Sequence, residues 1–248
     1  MSNRFRKFDW SVVSPGKCRV LPGPAIWLIK PIAESVSMEM DLFDSARVIS
    51  VGHDRSALIA STTGAKIVSR AGAWKFQKIP LFEAAKLLAF LESCANAEVL
   101  RGNAAGDIVI DVSSDLNIWK FEGWLIERVM CGDRSAGGMF DFLRAQESYG
   151  LVRFLLKERA SVKTVAALSE RYGVSESHFR RLCRRALGRG LKRELRQWRA
   201  ASAVLDVVES RDSMTDVAMS NGFASSSHFS REIKDLFGIS PCQFRRRT

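Results

Sequence analysis

The 248-residue chain is poor in the residues on which most site chemistry is built: it has three histidines, two tyrosines, six prolines and five cysteines. Cys18, Cys94, Cys131, Cys183 and Cys242 are odd in number and scattered, with no CxxC pair and no metal-ligand spacing. The expectation is reduced, packed thiols, with neither a disulfide framework nor a bound metal. No P-loop, HExxH, GxSxG or GxGxxG motif is present, and the carboxylates form no defensible acid–base pair. An enzyme is therefore not expected, nor is a cofactor. No apolar run reaches the roughly 20 residues a membrane span needs. The opening MSNRFRKFDWSVVSPG is basic but has no apolar stretch behind it, so it does not read as a secretory signal. The expected location is the cytoplasm.

What the chain does have is basic charge, unevenly placed. Residues 146–248 carry 20 Lys and Arg against 11 Asp and Glu, a net of +9. That leaves only +2 of the total +11 for residues 1–145. A basic C-terminal module beside a near-neutral N-terminal one points to a polyanionic partner for the former.

The C-terminal module is also repeated. SHFRRLC begins at Ser177 and SHFSREI at Ser227. Upstream, Leu168, Ser169 and Gly173 match Val217, Ala218 and Gly222 at an offset of 49. Downstream, Ser177, His178, Phe179 and Gly188 match Ser227, His228, Phe229 and Gly238 at an offset of 50. The second copy thus has one extra residue in its turn. Each copy reads as helix, turn, helix. Ser169 and Ala218 are small where the helices must approach closely. Gly173 and Gly222 stand where the chain leaves the first helix with φ > 0. Val174 and Phe223 plug the junction, and Ser175 and one of Ser225 or Ser226 cap the second helix.

The second helix of each copy is amphipathic. Phe179, Leu182, Cys183 and Ala186 form one predicted stripe; Phe229, Ile233, Leu236 and Phe237 form the other. Short polar residues at the helix start, followed by arginines, suit entry into a major groove, where arginine can bind guanine O6 and N7 together. Between the copies, Leu191, Leu195, Trp198, Ser202 and Leu205 predict a rigid helix of about five turns, on the order of 30 Å long. Successive major grooves on one side of B-DNA are about 34 Å apart. Both reading helices could therefore meet one face of a duplex without a dimer.

RAASA, DVAMSNGF and SHFSREIKDLFGISPCQFRRR resemble the DNA-binding domain of the AraC/XylS family of transcriptional regulators. Further, ESYGLVRFLL, YGVSESHFRRLCRRALG, ELRQWR and, upstream, KLLAFLE resemble a subgroup that activates type III secretion genes in invasive bacteria. The resemblance implies a virulence-gene activator that binds double-stranded promoter DNA, recruits RNA polymerase and works with a secretion chaperone as coactivator. A small-molecule-responsive regulator of a metabolic operon is the alternative. The resemblance also implies base readers at Ser177, Arg180 and Arg181 in the first unit and Ser227, Ser230 and Arg231 in the second. Ser226 lies close behind, and Arg184 and Lys234 would face phosphates. His178 and His228 read as packing or phosphate contacts rather than metal ligands. Arg245, Arg246 and Arg247 could touch the DNA backbone or be solvated.

The expected class is α+β. Residues 146–248 would form an all-α AraC-type domain, with helix-turn-helix units at about 165–185 and 214–237 and a linker helix at about 191–209. Residues 1–145 would form a mixed α/β regulatory or partner-binding domain, with a small β-barrel and helices as one form, and with room for a weak homodimer through it. Strands are predicted in GPAIWLIKPIAESVSMEMDLF, ARVISVG, SALIASTTGAKIVSR and DIVIDV, and helices at 80–97, 114–130 (capped by Ser114 or Asp115) and 138–158. DRSAGG (133–138) reads as the linker. Trp119, Phe121 and Trp124 read either as core or as a docking face.

Overall fold

The computed structural model describes residues 10–42, 45–94, 108–158, 164–188 and 190–245. It divides into two compact units, residues 1–150 and 151–248.

The first unit begins with eight strands: β1 (Ser11–Val13), β2 (Cys18–Pro22), β3 (Ala25–Pro31), β4 (Val36–Leu42), β5 (Ser45–Val51), β6 (Arg55–Ser61), β7 (Gly64–Ala71) and β8 (Trp74–Ile79). Helix α1 (Leu81–Cys94), strand β9 (Ile108–Ser113) and helices α2 (Ile118–Met130) and α3 (Gly137–Arg144) follow. All strand pairs described are antiparallel. They form one sheet in the order β1-β8-β3-β6-β9 and another in the order β2-β7-β4-β5. Among the described residues no ladder joins the two sheets, so the small barrel anticipated as one form is not closed.

The alternation of side chains explains the layering. Ala25, Trp27 and Ile29 of β3 pack with Ala57 and Ile59 of β6 against Met38, Met40 and Ile67 of the facing sheet. The intervening Ile26, Leu28, Leu58 and Ala60 point the other way, onto Leu88 of α1, Phe121 and Leu125 of α2 and Phe140 of α3. β3 and β6 are thus buried on both faces, which is why they read as near-continuous apolar runs.

Three local expectations change. α2 is capped by Asn117, whose side chain accepts from the backbone N–H groups of Trp119 and Lys120; Ser114 and Asp115 lie too early. The stretch at 138–158 is two helices, α3 and α4 (Glu147–Glu158), broken at 145–146. DRSAGG is no linker: Arg134–Ala136 is a 3-10 turn capped by Asp133, it runs directly into α3, and Ala136 is fully buried. The tail of the helix predicted at 80–97 falls outside the described residues beyond Cys94, as does Asp107. β1, β2 and β8 had no sequence signal strong enough to predict them.

The second unit is helical: α5 (Val165–Tyr172), α6 (Glu176–Leu187), α7 (Leu191–Glu209), α8 (Met214–Ser220), α9 (Ser226–Phe237) and α10 (Pro241–Arg245). Phe154 of α4, Tyr172 and Phe179 pack their rings together, with centroids 4.9–6.3 Å apart. Ala200, Ala203 and Val207 of α7 pack on Val217, Ala218, Phe223, Phe229 and Ile233.

Candidate nucleic-acid interface

Both repeats fold as helix-turn-helix units, and the turns are built alike. Gly173 and Gly222 take φ of +81° and +73°, a left-handed conformation costly to any residue with a Cβ. After each, the chain closes back: the Val174 N–H donates to the Ser169 carbonyl, and the Phe223 N–H to that of Ala218. Ser169 and Ala218 are buried, as their closeness to the second helix requires. Ser175 and Ser225 cap the reading helices, accepting from the His178 and His228 N–H groups. From turn glycine to cap is two residues in the first unit and three in the second, which places the extra residue between Gly222 and Ser225. Phe223 is buried, whereas Val174 is only half-buried.

On α6, Phe179, Leu182, Cys183 and Ala186 face inward. Burial pushes the Cys183 thiol up to about 11, so it packs as a neutral apolar group. Ser177, Arg180, Arg181 and Arg184 are all exposed and fall within about 100° of the helix circumference, given the 3.6-residue turn. On α9, Ser227, Ser230, Arg231 and Lys234 occupy the same arc; Ser230 is half-buried and the others are exposed. Ser226 is half-buried at the edge of the arc, opening the helix. The nominated readers of each unit therefore share one outward face. Phe237 departs from expectation: it is 44 % exposed rather than part of the core stripe, and its ring packs edge-on against Phe244 of α10.

The two faces differ in electrostatics. On α6, Arg180 donates from Nε and Nη2 to Oε1 of Glu176, one turn back, at 2.8 and 2.5 Å. Arg181 Nη2 lies 2.9 Å from His178 Nδ1. On α9 the equivalents of Glu176 and Arg180 are Ser226 and Ser230. His228 pairs with Glu232 instead, its Nε2 3.5 Å away, and its ring lies 5.9 Å from Phe223. Glu232 is buried and also receives Arg196 Nε at 3.3 Å and Arg199 Nη2 at 3.2 Å, both from α7. The Arg199 guanidinium lies over the Phe223 ring at 4.8 Å. Sequence reading missed Glu176, Glu232, Arg196 and Arg199. The Glu176–Arg180 spacing is a recognisable i,i+4 pair; the Glu232 cluster joins residues more than 30 positions apart and leaves no local signal.

α7 is 19 residues long, about 28 Å at 1.5 Å per residue. Its buried side matches the predicted one only at Leu191. Leu191, Glu194, Ala200, Ala203 and Val207 face in, Leu195, Trp198 and Ser202 are half-buried, and Leu205 is 57 % exposed. Ala200 and Ala203 line the contact with α8 and α9. Asn221 in the second turn donates to Asp206 of α7 at 2.6 Å. Arg245 donates to the carbonyls of Val207 and Asp212, so this arginine ties α10 to α7; Arg246 and Arg247 lie outside the described residues.

In the first unit, Phe121 is core and Trp124 stacks on it with ring centroids 5.6 Å apart. Trp119 is 70 % exposed. The expectation of a core role holds for the inner two and not for Trp119. Among the described residues no helix is long and apolar enough to cross a membrane.

Residues 168–247 match the family model described as a helix-turn-helix domain. The chain is 38% identical over 171 residues to the invasion protein InvF of Salmonella typhimurium, covering 67% of this chain and 78% of that one. It is 37% identical over 163 residues to the transcriptional regulator MxiE of Shigella flexneri, covering 63% and 78% respectively. A structure of ToxT from Vibrio cholerae aligns over 96% of this chain and 97% of that chain, at 8% identity and a TM-score of 0.39, values too low to add weight. With two helix-turn-helix units on one linker helix and these relatives, the chain belongs to the AraC/XylS family of DNA-binding transcriptional regulators.

Proposed function

We propose that this regulator activates type III secretion genes of an invasive bacterium. In this reading both helix-turn-helix units bind one face of promoter DNA, and the first unit of the fold takes up a protein coactivator. The single observation that carries it is the pair of exposed Ser/Arg faces on α6 and α9, mounted on one helix about 28 Å long, close to the groove spacing of B-DNA. Ser177, Arg180, Arg181, Ser227, Ser230 and Arg231 read bases, Ser226 assists, and Arg184 and Lys234 hold phosphates. The relatives, an invasion protein and a transcriptional regulator, support this choice of target genes. No catalytic step is assigned to the chain, and it acts in the cytoplasm, on the nucleoid.

A protein coactivator of the secretion-chaperone class fits the first unit better than a small-molecule signal. The space between the sheets is filled by side chains such as Trp27, Met38, Met40 and Ile67. A cleft of about 470 Å³ lies outside the sandwich, and its cations Arg55, Lys120 and Arg128 already pair with Asp111, Asp115 and Asp133. α2, by contrast, exposes Trp119, Ile126 and Met130 along one side, a face of the kind protein partners cover. RNA polymerase is the further partner.

The test is twofold. Affinity for a secretion-gene promoter fragment falls steeply between 50 and 200 mM salt, by about three to five decades for 6–10 phosphate contacts; a flat response rejects the DNA interface. Run-off transcription with purified polymerase requires the cognate chaperone; full output without it rejects the coactivator.

A further inference from the structure

The pairing of Arg180 with Glu176 has a consequence for what the first reading helix can recognise. A guanidinium offers two bidentate edges: the side edge, Nε with Nη2, and the end edge, Nη1 with Nη2. Glu176 Oε1 takes the side edge. The end edge stays available on a side chain that is 59 % exposed, and its paired N–H groups can serve guanine O6 and N7. The pair also draws the arginine back toward the start of α6, the direction in which helical side chains already lean and the end of a reading helix that meets base edges.

We propose that Glu176 is a specificity-determining residue of the first unit: it clamps Arg180 side-on, so that the end edge is presented to a guanine. It positions the reader and does not itself touch the base. Its second effect is electrostatic. A carboxylate at the groove-facing start of α6 repels phosphates, so it holds down binding to unrelated sequence while the clamp favours the right one. The second unit lacks both halves of the device, having Ser226 and Ser230 at these positions, so the preference set by this pair belongs to the first unit's half of the site. The proposal rests on the DNA-binding reading above.

The test uses the full chain. A randomised duplex library selected with the wild type supplies the site. The probes are that site, its single base-pair variants and an unrelated duplex. Arg180→Ala loses preference at one G·C pair. Glu176→Ala lowers preference at the same pair by at least about fivefold, the lower end of what a bidentate contact discriminates, while its affinity for the unrelated duplex stays level or rises. Glu176→Gln keeps the preference, because its carbonyl oxygen still accepts from Nε and Nη2, and raises unrelated binding. On the Arg180→Ala background, Glu176→Ala changes the preference no further. Glu176 also opens α6, where its charge favours the helix; loss of that effect alone would weaken all duplexes equally and leave the ratio unmoved. An unchanged ratio in Glu176→Ala overturns the proposal, as does an equal loss with and without Arg180. If the wild type selects no site at all, the DNA-binding reading falls, and the proposal with it.

Discussion

The two helix-turn-helix units share a turn, a pair of caps and a buried phenylalanine, yet they spend their charges differently. In the first, Arg180 and Arg181 are held on the outer face by Glu176 and His178, while the inner face is apolar through Leu182. In the second, the position of Leu182 is Glu232, buried among Arg196, Arg199 and His228. The histidine common to both thus meets a reading arginine once and the buried Glu232 once. The difference teaches that a repeat conserves the backbone device while its electrostatics are free to diverge. One unit is organised for recognition by arginine, the other for a fixed seat on the linker helix.

Exchanging the inner residues tests that contrast with the largest effect. Leu182→Glu buries an acid on an inner face that is apolar, and should cost about 3–5 kcal/mol in urea unfolding. Glu232→Leu should cost about 2 kcal/mol or less, because Arg196 and Arg199 are partly exposed and can turn to water. Equal losses would mean that the two inner faces are electrostatically equivalent. Next come the outer arginines. Arg181→Ala and Arg231→Ala should each weaken the specific site by about 1–3 kcal/mol, at different base pairs, read by competition with single-pair variants. The smallest effects should be the same in both units. Gly173→Ala and Gly222→Ala are each expected to lower stability by about 1–2 kcal/mol through the left-handed turn, measured by thermal melting. A clear inequality there would show that the extra residue before Ser225 has changed the second turn's geometry.

Much of the second unit was legible because its signals are local. The glycines with φ > 0, the cap serines and the stripe through Phe179 and Cys183 all follow from residues within one or two turns. What escaped was set by packing between distant elements. The inner side of α7 is decided by which helices lie against it, so Ala200 and Ala203 displaced Leu205, which had looked the better core residue. Phe237 left its stripe because it packs on Phe244 beyond the end of its helix. In the first unit the helices α1 and α2 and most long strands could be read, but β8 could not: WKFQKI mixes lysine with aromatics, and only its place between β1 and β3 makes it a strand. The reading faces on α6 and α9 could be named from sequence; the joining of Arg196 and Arg199 to Glu232 required the fold.

The central claim is that one chain reads an asymmetric site through two units on one face of the duplex. Hydroxyl-radical footprinting of the full chain on its selected site tests it most directly. The account predicts two protected patches about 10 base pairs apart on the same face, with Arg181→Ala weakening one and Arg231→Ala the other. A single patch, or one in which both substitutions erode the same base pairs, would contradict it.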